Sequence, residues 1–491
     1  MLAPWASAEM KTADLEDKRL NERLCRVLSA LGERPTASIP AACGGLGEMT
    51  AAYRFFDNEK VTYESILTPH AERTLERIAA QPVVLFVQDT TELDFTRPQQ
   101  QMTGAGSLDG SDRCGALLHP LVAFTPDGTP LGTCWATMWT REEPTEETRA
   151  EKQRHRRLTP IEEKESQRWI DGLRQARRVA EQVSNVKCVC IADSEADIYE
   201  LFAEPRGAGR VEWLVRACQD RAVREGAENT EHPARNIREA VEAQPVLFRQ
   251  EISVRGRGQT KISCENRERR QPRESRKAQV EVRATTVTLR GAARPGGRLP
   301  DVAVNVVQVR EVDKPAGDVP VEWMLITSLP IAEVEQVRQI VQYYAVRFMI
   351  EVLFRVLKSG CRVEQRRFEH LSRMLPCVAI YLIVAWRTLM VCRLGRSSPE
   401  LNCEAIFDPA EWKSVWMTVQ GKKPPRRAPK LAVMLPLVAQ LGGYVNYPGR
   451  DDPPGPQTIW LGLQRMYDLA LAWNTFGPGA ARNQQLEDSC V

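Results

Sequence analysis

The chain has 491 residues, of which 43% are hydrophobic and 27% charged, and its formal net charge is only +3. That length allows two or three domains with ample core, and the balance is that of an ordinary soluble globular protein. It excludes binding driven by a global basic excess, so an anionic partner must be met by local clusters. The 13 cysteines follow no framework spacing and the five histidines are scattered. A disulfide scaffold and a zinc site are therefore both poor readings, and free thiols suit a reducing cytosol. The start, "MLAPWASAEM", lacks a basic stretch followed by an apolar one, so no signal peptide is expected.

In chain order, residues 1–70 read as helical: "DLEDKRLNERLCRVLSALGERP", a Pro/Gly loop, then "MTAAYRFFDNEK". From 82 the texture becomes strand-like. "PVVLFVQDT" predicts a buried strand and "ALLHPLVAFTPDGTPLGTCWATMW" a hairpin turning at "PDG". The polar helix "IEEKESQRWIDGLRQARRVAEQV" follows, then the strand "VKCVCIAD", a helix from "SEADIYELFAE" and the strand "VEWLVRA". The alternation of Cys188 and Cys190 predicts a buried strand face rather than a metal pair. Short basic β-rich segments fill about 220–320, "RQEISV", "AQVEVRATTVTL" and "VAVNVVQVREV" among them. Between Arg255 and Arg290 there are 11 Lys/Arg against 4 Glu, and "KKPPRRAPK" at 422–430 adds five cations. Such runs suit an anionic partner, although solvated loops also carry them. After the strand "VEWMLITS" and the helix at 341–360 the chain is helical to its end. The segment "MLPCVAIYLIVAWRTLMV" (374–391) has an apolar run, Met374 to Trp386, shorter than the ~18 residues of a membrane span. It predicts a buried helix, with no membrane partner.

The helix "VQYYAVRFMIEVLFRVLKSG" at 341–360 is mostly apolar, yet Arg347, Glu351, Arg355 and Lys358 interrupt it. At about 100° per residue these four and Tyr344 fall within an arc of roughly 80°. A surface helix shows a broad polar face and a narrow apolar one; here the proportions are inverted. Pairing at i,i+4, from Arg347 to Glu351 to Arg355, is one explanation. A carboxylate ranked beside cations for handling metal and phosphate is the other. Two core strands also end in aspartates, Asp89 in "VVLFVQDTT" and Asp193 in "CVCIADSEADI". Taken singly, Asp193 reads as a helix N-cap and Asp89 as a strand-end turn residue. Together with Glu351, two carboxylates at the carboxyl ends of neighbouring strands can hold two divalent ions for in-line displacement at phosphorus.

Tyr344, Arg347, Glu351 and Lys358 match the spacing Tyr, two residues, Arg, three residues, Glu, six residues, Lys. In this the chain resembles the bacterial cut-and-paste DDE transposases of insertion-sequence family four, the transposon-five type. "VQDTTELDF", "IADSEADIY", "EKESQRWI", "YRFFDN", "RQPRESRKA", "WMLITSLP", "QLGGYVN" and "IWLGL" extend the resemblance over nearly the whole chain. It implies an α/β, ribonuclease-H-like catalytic core over 71–372, with the β-rich insertion inside it. An N-terminal helical end-recognition domain over 1–70 and a helical C-terminal dimerisation domain over 373–491 would flank the core.

The resemblance assigns Asp89, Asp193 and Glu351 as the catalytic, metal-binding triad, with two Mg²⁺ ions per site and Mn²⁺ able to substitute. Tyr344, Arg347, Lys358 and Arg355 would hold phosphates of the terminal DNA, and Trp323 would stack a flipped base. Arg54 and Arg23 would serve end recognition, while Arg216 and Arg367 would contact DNA near the catalytic site. The implied partners are double-stranded DNA, both transposon terminal inverted repeats and target, and a second copy of the chain in the synaptic complex. The implied place is the bacterial cytoplasm, at the nucleoid when DNA-bound. Without DNA, the charged site is expected to be strained, mutually repelling or water-filled, with arginines left for phosphate oxygens.

Two departures stand out. "LEDKR" only partly matches the family's Gly-Asp-x-Arg pattern, and the loop after "VEQRRFEH" is shorter, so polar contacts past Glu369 are not carried over. Three other readings compete with an active transposase: a haloacid-dehalogenase-like phosphatase with Asp89 as nucleophile, an inactive DNA-binding descendant, and a plain nuclease. The first wants an Asp where Thr91 stands.

Overall fold

The structure, a computed structural model, describes residues 2–478 apart from positions 98, 110–111, 143–147, 149–150, 152–153, 156–157, 206–210, 225–234, 255, 257–273, 316–317 and 446–452. Most of the basic run expected between Arg255 and Arg290, including the start of "RQPRESRKA", thus lies outside the described residues.

Five helices open the chain: Pro4–Glu9, Lys18–Glu33, Ile39–Cys43, Leu46–Phe56 and Tyr63–Ala79. Asp17 of "LEDKR" caps the second, its carboxylate accepting the Arg19 N–H at 2.8 Å. Strand β1 (Val83–Gln88) and the short β2 (Thr91–Asp94) and β3 (Gly106–Ser107) lead into β4 (Cys114–Phe124) and β5 (Pro130–Trp139). The last two form the expected hairpin, with Gly128 at φ 83° in its turn. After helix Gln167–Glu181 come β6 (Lys187–Ala192), the short helix Tyr199–Ala203 and β7 (Val211–Arg216). Strands β1, β6 and β7 run parallel, and β4 and β5 continue antiparallel on the other side of β1. The order β5-β4-β1-β6-β7 is the ribonuclease-H-like arrangement expected.

The β-rich insertion prolongs this sheet. Strands β8 (Phe248–Val254), β9 (Arg276–Leu289) and β12 (Val302–Glu311) pair antiparallel; between the last two lies the ribbon of β10 (Ala293–Arg294) and β11 (Gly297–Arg298). Strand β13 (Glu322–Thr327) bonds to β12 on one edge and β7 on the other, giving one mixed sheet.

The pleat sorts the core. Leu85, Val87, Val189 and Ile191 face the helices that carry the charged stripe, whereas Val84, Phe86, Cys188 and Cys190 pack with Trp169 and Leu173 of helix Gln167–Glu181. The segment 374–391 lies within helix Leu371–Ser397, which at 27 residues is longer than expected and apolar enough to cross a membrane by length and composition. It is apolar on every side and buried, as a core helix must be. Trp386 anchors it, its indole N–H donating to the Pro130 carbonyl at 3.1 Å. The limits read at 70 and 372 both fall inside helices, Tyr63–Ala79 and Leu371–Ser397.

A buried polar knot ties the N-terminal helices to β5. His70, fully buried, donates from Nδ1 to Glu9 Oε1 at 2.5 Å and accepts the Thr133 N–H on Nε2 at 2.9 Å. Arg77 forks onto both Glu9 oxygens at 2.9 and 3.0 Å. Burial holds His70 below its usual pKa and therefore neutral, which suits an Nε2 that accepts. For Glu9 burial works upward but is outweighed by His70 and Arg77, which bring it to about 2. Both folded pKa values lie below the unfolded ones, so the stability is present at high pH and lost on acidification. The contribution of this knot is expected to hold from pH 8 to about 6.5, fall as His70 is forced to protonate, and fall again from about 4.5 towards 2. It runs against the raised Asp89 and Glu411 carboxyls, whose protonation stabilises the fold over the same acid range. In a pH series of thermal melts the stability difference between wild type and His70→Gln should therefore shrink from pH 6.5 downwards; a difference that stays constant from pH 8 to 5 would overturn the assignment.

Candidate active site

The first two carboxylates are placed by strand register. On β1 and β6, Val83 faces Lys187 and Val87 faces Ile191, a constant offset. Two residues beyond each strand's last pair on that face stand Asp89 and Asp193, opposite one another at the strands' carboxyl ends. They project to the side of Leu85 and Ile191, where helix Phe348–Arg355 lies, and that helix supplies Glu351.

Each aspartate is fixed by a neighbouring backbone amide. Asp89 Oδ1 accepts the Thr90 N–H at 2.8 Å, and Asp193 Oδ1 accepts the Glu195 N–H at 2.8 Å. Asp193 is thus also the cap of the turn Ser194–Ala196, the simpler role read for it. Arg347 joins the cluster: Nη1 donates to Asp89 Oδ2 at 3.2 Å and Nη2 to Glu351 Oε1 at 2.5 Å. Burial, then Asp193, pushes the Asp89 carboxyl up to about 7, with Glu351 adding to the repulsion and Arg347 opposing it.

Three expectations about this region are corrected. The continuous helix over 341–360 is three pieces, Val334–Val346, Phe348–Arg355 and a π-turn at Val356–Gly360, with the break at Arg347. There the ladder tightens, Arg347 N–H bonding to the Tyr344 carbonyl and Ile350 N–H to that of Arg347. Secondly, the repulsion is present and Arg347 offsets it only in part, but by pairing with Asp89 and Glu351 its guanidinium is not left waiting for phosphate. Thirdly, the charged arc does not converge as a whole. Lys358, in the π-turn, pairs with Glu364 at 3.5 Å, whose carboxylate also accepts the Asp94 N–H. Arg355 is exposed and unpaired among the described residues.

Tyr344 is buried, its ring edge-on to Trp323 at 5.2 Å, and its hydroxyl has no hydrogen-bond partner among the described residues. Burial raises this phenol's pKa, while Arg347 and Arg216 pull it down, so the hydroxyl sits in the field of the site. Arg216 ends β7 and donates to Ser194 Oγ at 3.3 Å, beside Asp193. Trp323 lies on β13 and is half-buried. Arg367 is exposed on the chain leaving the π-turn. Arg54 and Arg23 stand elsewhere, on the N-terminal helices, lining a groove of about 750 Å³ together with Arg19 and Arg26. Sequence reading missed the last two, although 19, 23 and 26 recur at i, i+4 and i+7 on one helix face. Arg23 is paired there with Glu48.

Among the described residues no three metal-ligating side chains stand in ready coordinating geometry; Arg347 links Asp89 to Glu351 instead. The chemistry nevertheless fits a hard divalent cation. All three donors are carboxylates, the preferred ligands of such ions. Their mutual repulsion calls for positive charge, which the guanidinium supplies as a stand-in, and the Tyr344 hydroxyl, unpartnered among the described residues, lies within the electrostatic reach of Asp89 and Asp193.

Three families match the chain in sequence order: Transposase DNA-binding over residues 2–61, Transposase DDE domain over 145–375 and Transposase Tn5 dimerisation domain over 383–473. The second spans Asp193 and Glu351; Asp89 precedes it. A solved structure, the piggyBac transposase synaptic complex with hairpin DNA, is similar at 9% identity and a TM-score of 0.35, over 81% of this chain and 72% of that one.

Proposed function

The chain belongs to the Tn5-type DDE transposases, metal-dependent enzymes that cleave and join DNA, and we propose that it excises a transposon through a hairpin intermediate at its terminal inverted repeats. The observation that carries this reading is the placement of Asp89 opposite Asp193, with Glu351 facing them and one arginine answering two of the three. These carboxylates would hold two Mg²⁺ ions, with Mn²⁺ able to replace them. When bound, such ions lower the pKa of the attacking oxygen and stabilise both entering and leaving oxygens of an in-line displacement.

Around that centre the chain's own groups position DNA. Arg347 would exchange a carboxylate for a phosphate, where its planar fork suits paired oxygens. Tyr344 would give its free hydroxyl to the same strand, and Lys358, Arg355, Arg216 and Arg367 would hold flanking phosphates. Trp323, already edge-on to Tyr344, would receive the base displaced when the strand turns back on itself. Water first attacks one strand and leaves a 3′-hydroxyl; that hydroxyl attacks the opposite strand, closing the hairpin and freeing the flank. A second water reopens it, and the new 3′-hydroxyl joins target DNA. Residues 1–70, with Arg23 and Arg54 in the groove, would read the ends. Residues from 373 would pair two copies, and 71–372 would carry the chemistry. On this reading the protein would work in the bacterial cytoplasm, at the nucleoid when bound to DNA.

A linear DNA carrying the flanking repeats, incubated with Mg²⁺, tests this reading. Wild type is expected to give nicks, hairpins and joined products, and Glu351→Ala none while still binding the ends. Nicks without hairpins or joining would make the protein a nuclease. Binding without cutting by wild type would make it a DNA-binding relative only.

A further inference from the structure

One side chain reaches both of the loops that carry the site aspartates, and it does so from the opposite face of the sheet. Gln88 and Thr90 alternate with Asp89 and therefore point away from Glu351, towards helix Gln167–Glu181. Arg168, in the first turn of that helix, donates from Nε to Thr90 Oγ1 at 2.8 Å and from Nη2 to Glu195 Oε2 at 3.0 Å. Its Nη1 donates to the Glu165 carbonyl at 2.7 Å. The guanidinium lies 5.4 and 5.3 Å from the ring centres of Trp139 and Trp169, and the side chain is only 12% exposed. Thr90 and Glu195 are the two residues whose N–H groups bond Asp89 Oδ1 and Asp193 Oδ1. A single planar cation thus ties together the two residues that hold the two aspartates.

The bonds behind Thr90 leave one consistent proton assignment. Gln88 gives its amide N–H to the Trp169 carbonyl and to Cys190 Sγ, so its oxygen must accept from His119 Nε2 at 3.0 Å. His119 Nδ1 then accepts the Thr90 hydroxyl at 2.9 Å, which leaves the Thr90 oxygen free to accept from Arg168. The helix is held close at this height because a Cβ on Gly172 would meet Gln88 Oε1 at 2.1 Å. Lysine could not replace the arginine, since its three donors spring from one nitrogen and cannot span the three acceptors that Nε, Nη1 and Nη2 reach separately in one plane.

We propose that Arg168 is a positioning residue that sets the relative placement of Asp89 and Asp193, and with it the affinity of the site for divalent cations. The proposal rests on the reading that these two aspartates hold the cation. Removing a group that orients a metal ligand costs about 10–100-fold in metal affinity or activity.

The test uses the full chain. Mn²⁺ binding without DNA is followed by electron paramagnetic resonance for wild type, Arg168→Lys, Thr90→Val and Asp89→Asn. Cleavage against Mn²⁺ concentration and DNA affinity in EDTA are measured alongside. Arg168→Lys and Thr90→Val are each expected to weaken Mn²⁺ binding by ~10-fold or more and to shift half-maximal cleavage to correspondingly higher Mn²⁺. Affinity for the ends in EDTA should be unchanged, and saturating Mn²⁺ should restore most of the rate. Thr90→Val keeps the guanidinium and its ring contacts, so it decides the matter even if an Arg168 variant does not fold. Unchanged Mn²⁺ binding in both, with Asp89→Asn deficient, would overturn the positioning role and leave the aspartate reading standing. Asp89→Asn binding Mn²⁺ like wild type would remove that reading itself. Loss of DNA affinity in EDTA by Arg168→Lys would make Arg168 a phosphate contact instead.

Discussion

Asp89→Asn is expected to yield a protein that is more stable without metal and nearly inert with it. In the wild type, burial and the facing Asp193 push this carboxyl up to about 7, so holding it ionised at neutral pH works against the fold. An isosteric amide removes the charge, keeps an oxygen for the Thr90 N–H, and leaves Arg347 with Glu351. The gain should be about 1–3 kcal/mol in EDTA, read from the urea midpoint. Activity should fall roughly 1,000-fold, since losing a cation ligand removes several kcal/mol from transition-state stabilisation and each ~1.4 kcal/mol is a factor of ten. Stability surrendered at a functional site is a general pattern. A variant that cleaves within ~10-fold of wild type would take Asp89 out of the site. One that gains no stability would mean that Arg347 fully offsets the crowding.

What could be read without coordinates follows from what periodicity reports. Apolar runs ending in Asp89 and Asp193, the "PDG" turn and the apolar helix around Met374–Trp386 are local features, and the structure returns each of them. The residue spacing also singled out Glu351, because a helix repeats regularly enough for Tyr344, Arg347 and Glu351 to share a side. Periodicity says which way a side chain points, not what it meets. Nothing local shows that Arg347 would break the helix and bridge Asp89, 258 residues away. Lys358 turns to Glu364 because a π-turn shifts it out of helical phase. The tie from Arg168 to Thr90 and Glu195 joins three segments that only the sheet brings together.

The pair Arg366–Arg367 shows the same limit, and it carries the second large effect. In "EQRRFE" the two look equivalent, and the resemblance points to the second as a DNA contact. The chain is extended at Arg366, with φ −70° and ψ 135°, so the two side chains leave on opposite sides. Arg366 is 4% exposed and lies 4.8 Å from the Tyr381 ring centre, while Arg367 is exposed. The Arg366 guanidinium donates to the carbonyls of Pro35 and Cys361, both at 2.6 Å, and to that of Ala37. Two of those carbonyls follow helix Lys18–Glu33, so this arginine fastens the N-terminal helices to the catalytic core. Arg366→Met would fill much of the space yet leave buried carbonyls without donors, at about 1–3 kcal/mol each. A loss of about 3–5 kcal/mol in the urea midpoint is expected, with the N-terminal helices becoming the first site of proteolysis. Arg367→Ala should stay within about 0.5 kcal/mol of wild type but weaken DNA binding and reduce its salt dependence by about one ion. If instead Arg367→Ala unfolds the protein while Arg366→Met only weakens DNA binding, the roles are reversed and the N-terminal helices are held by other contacts.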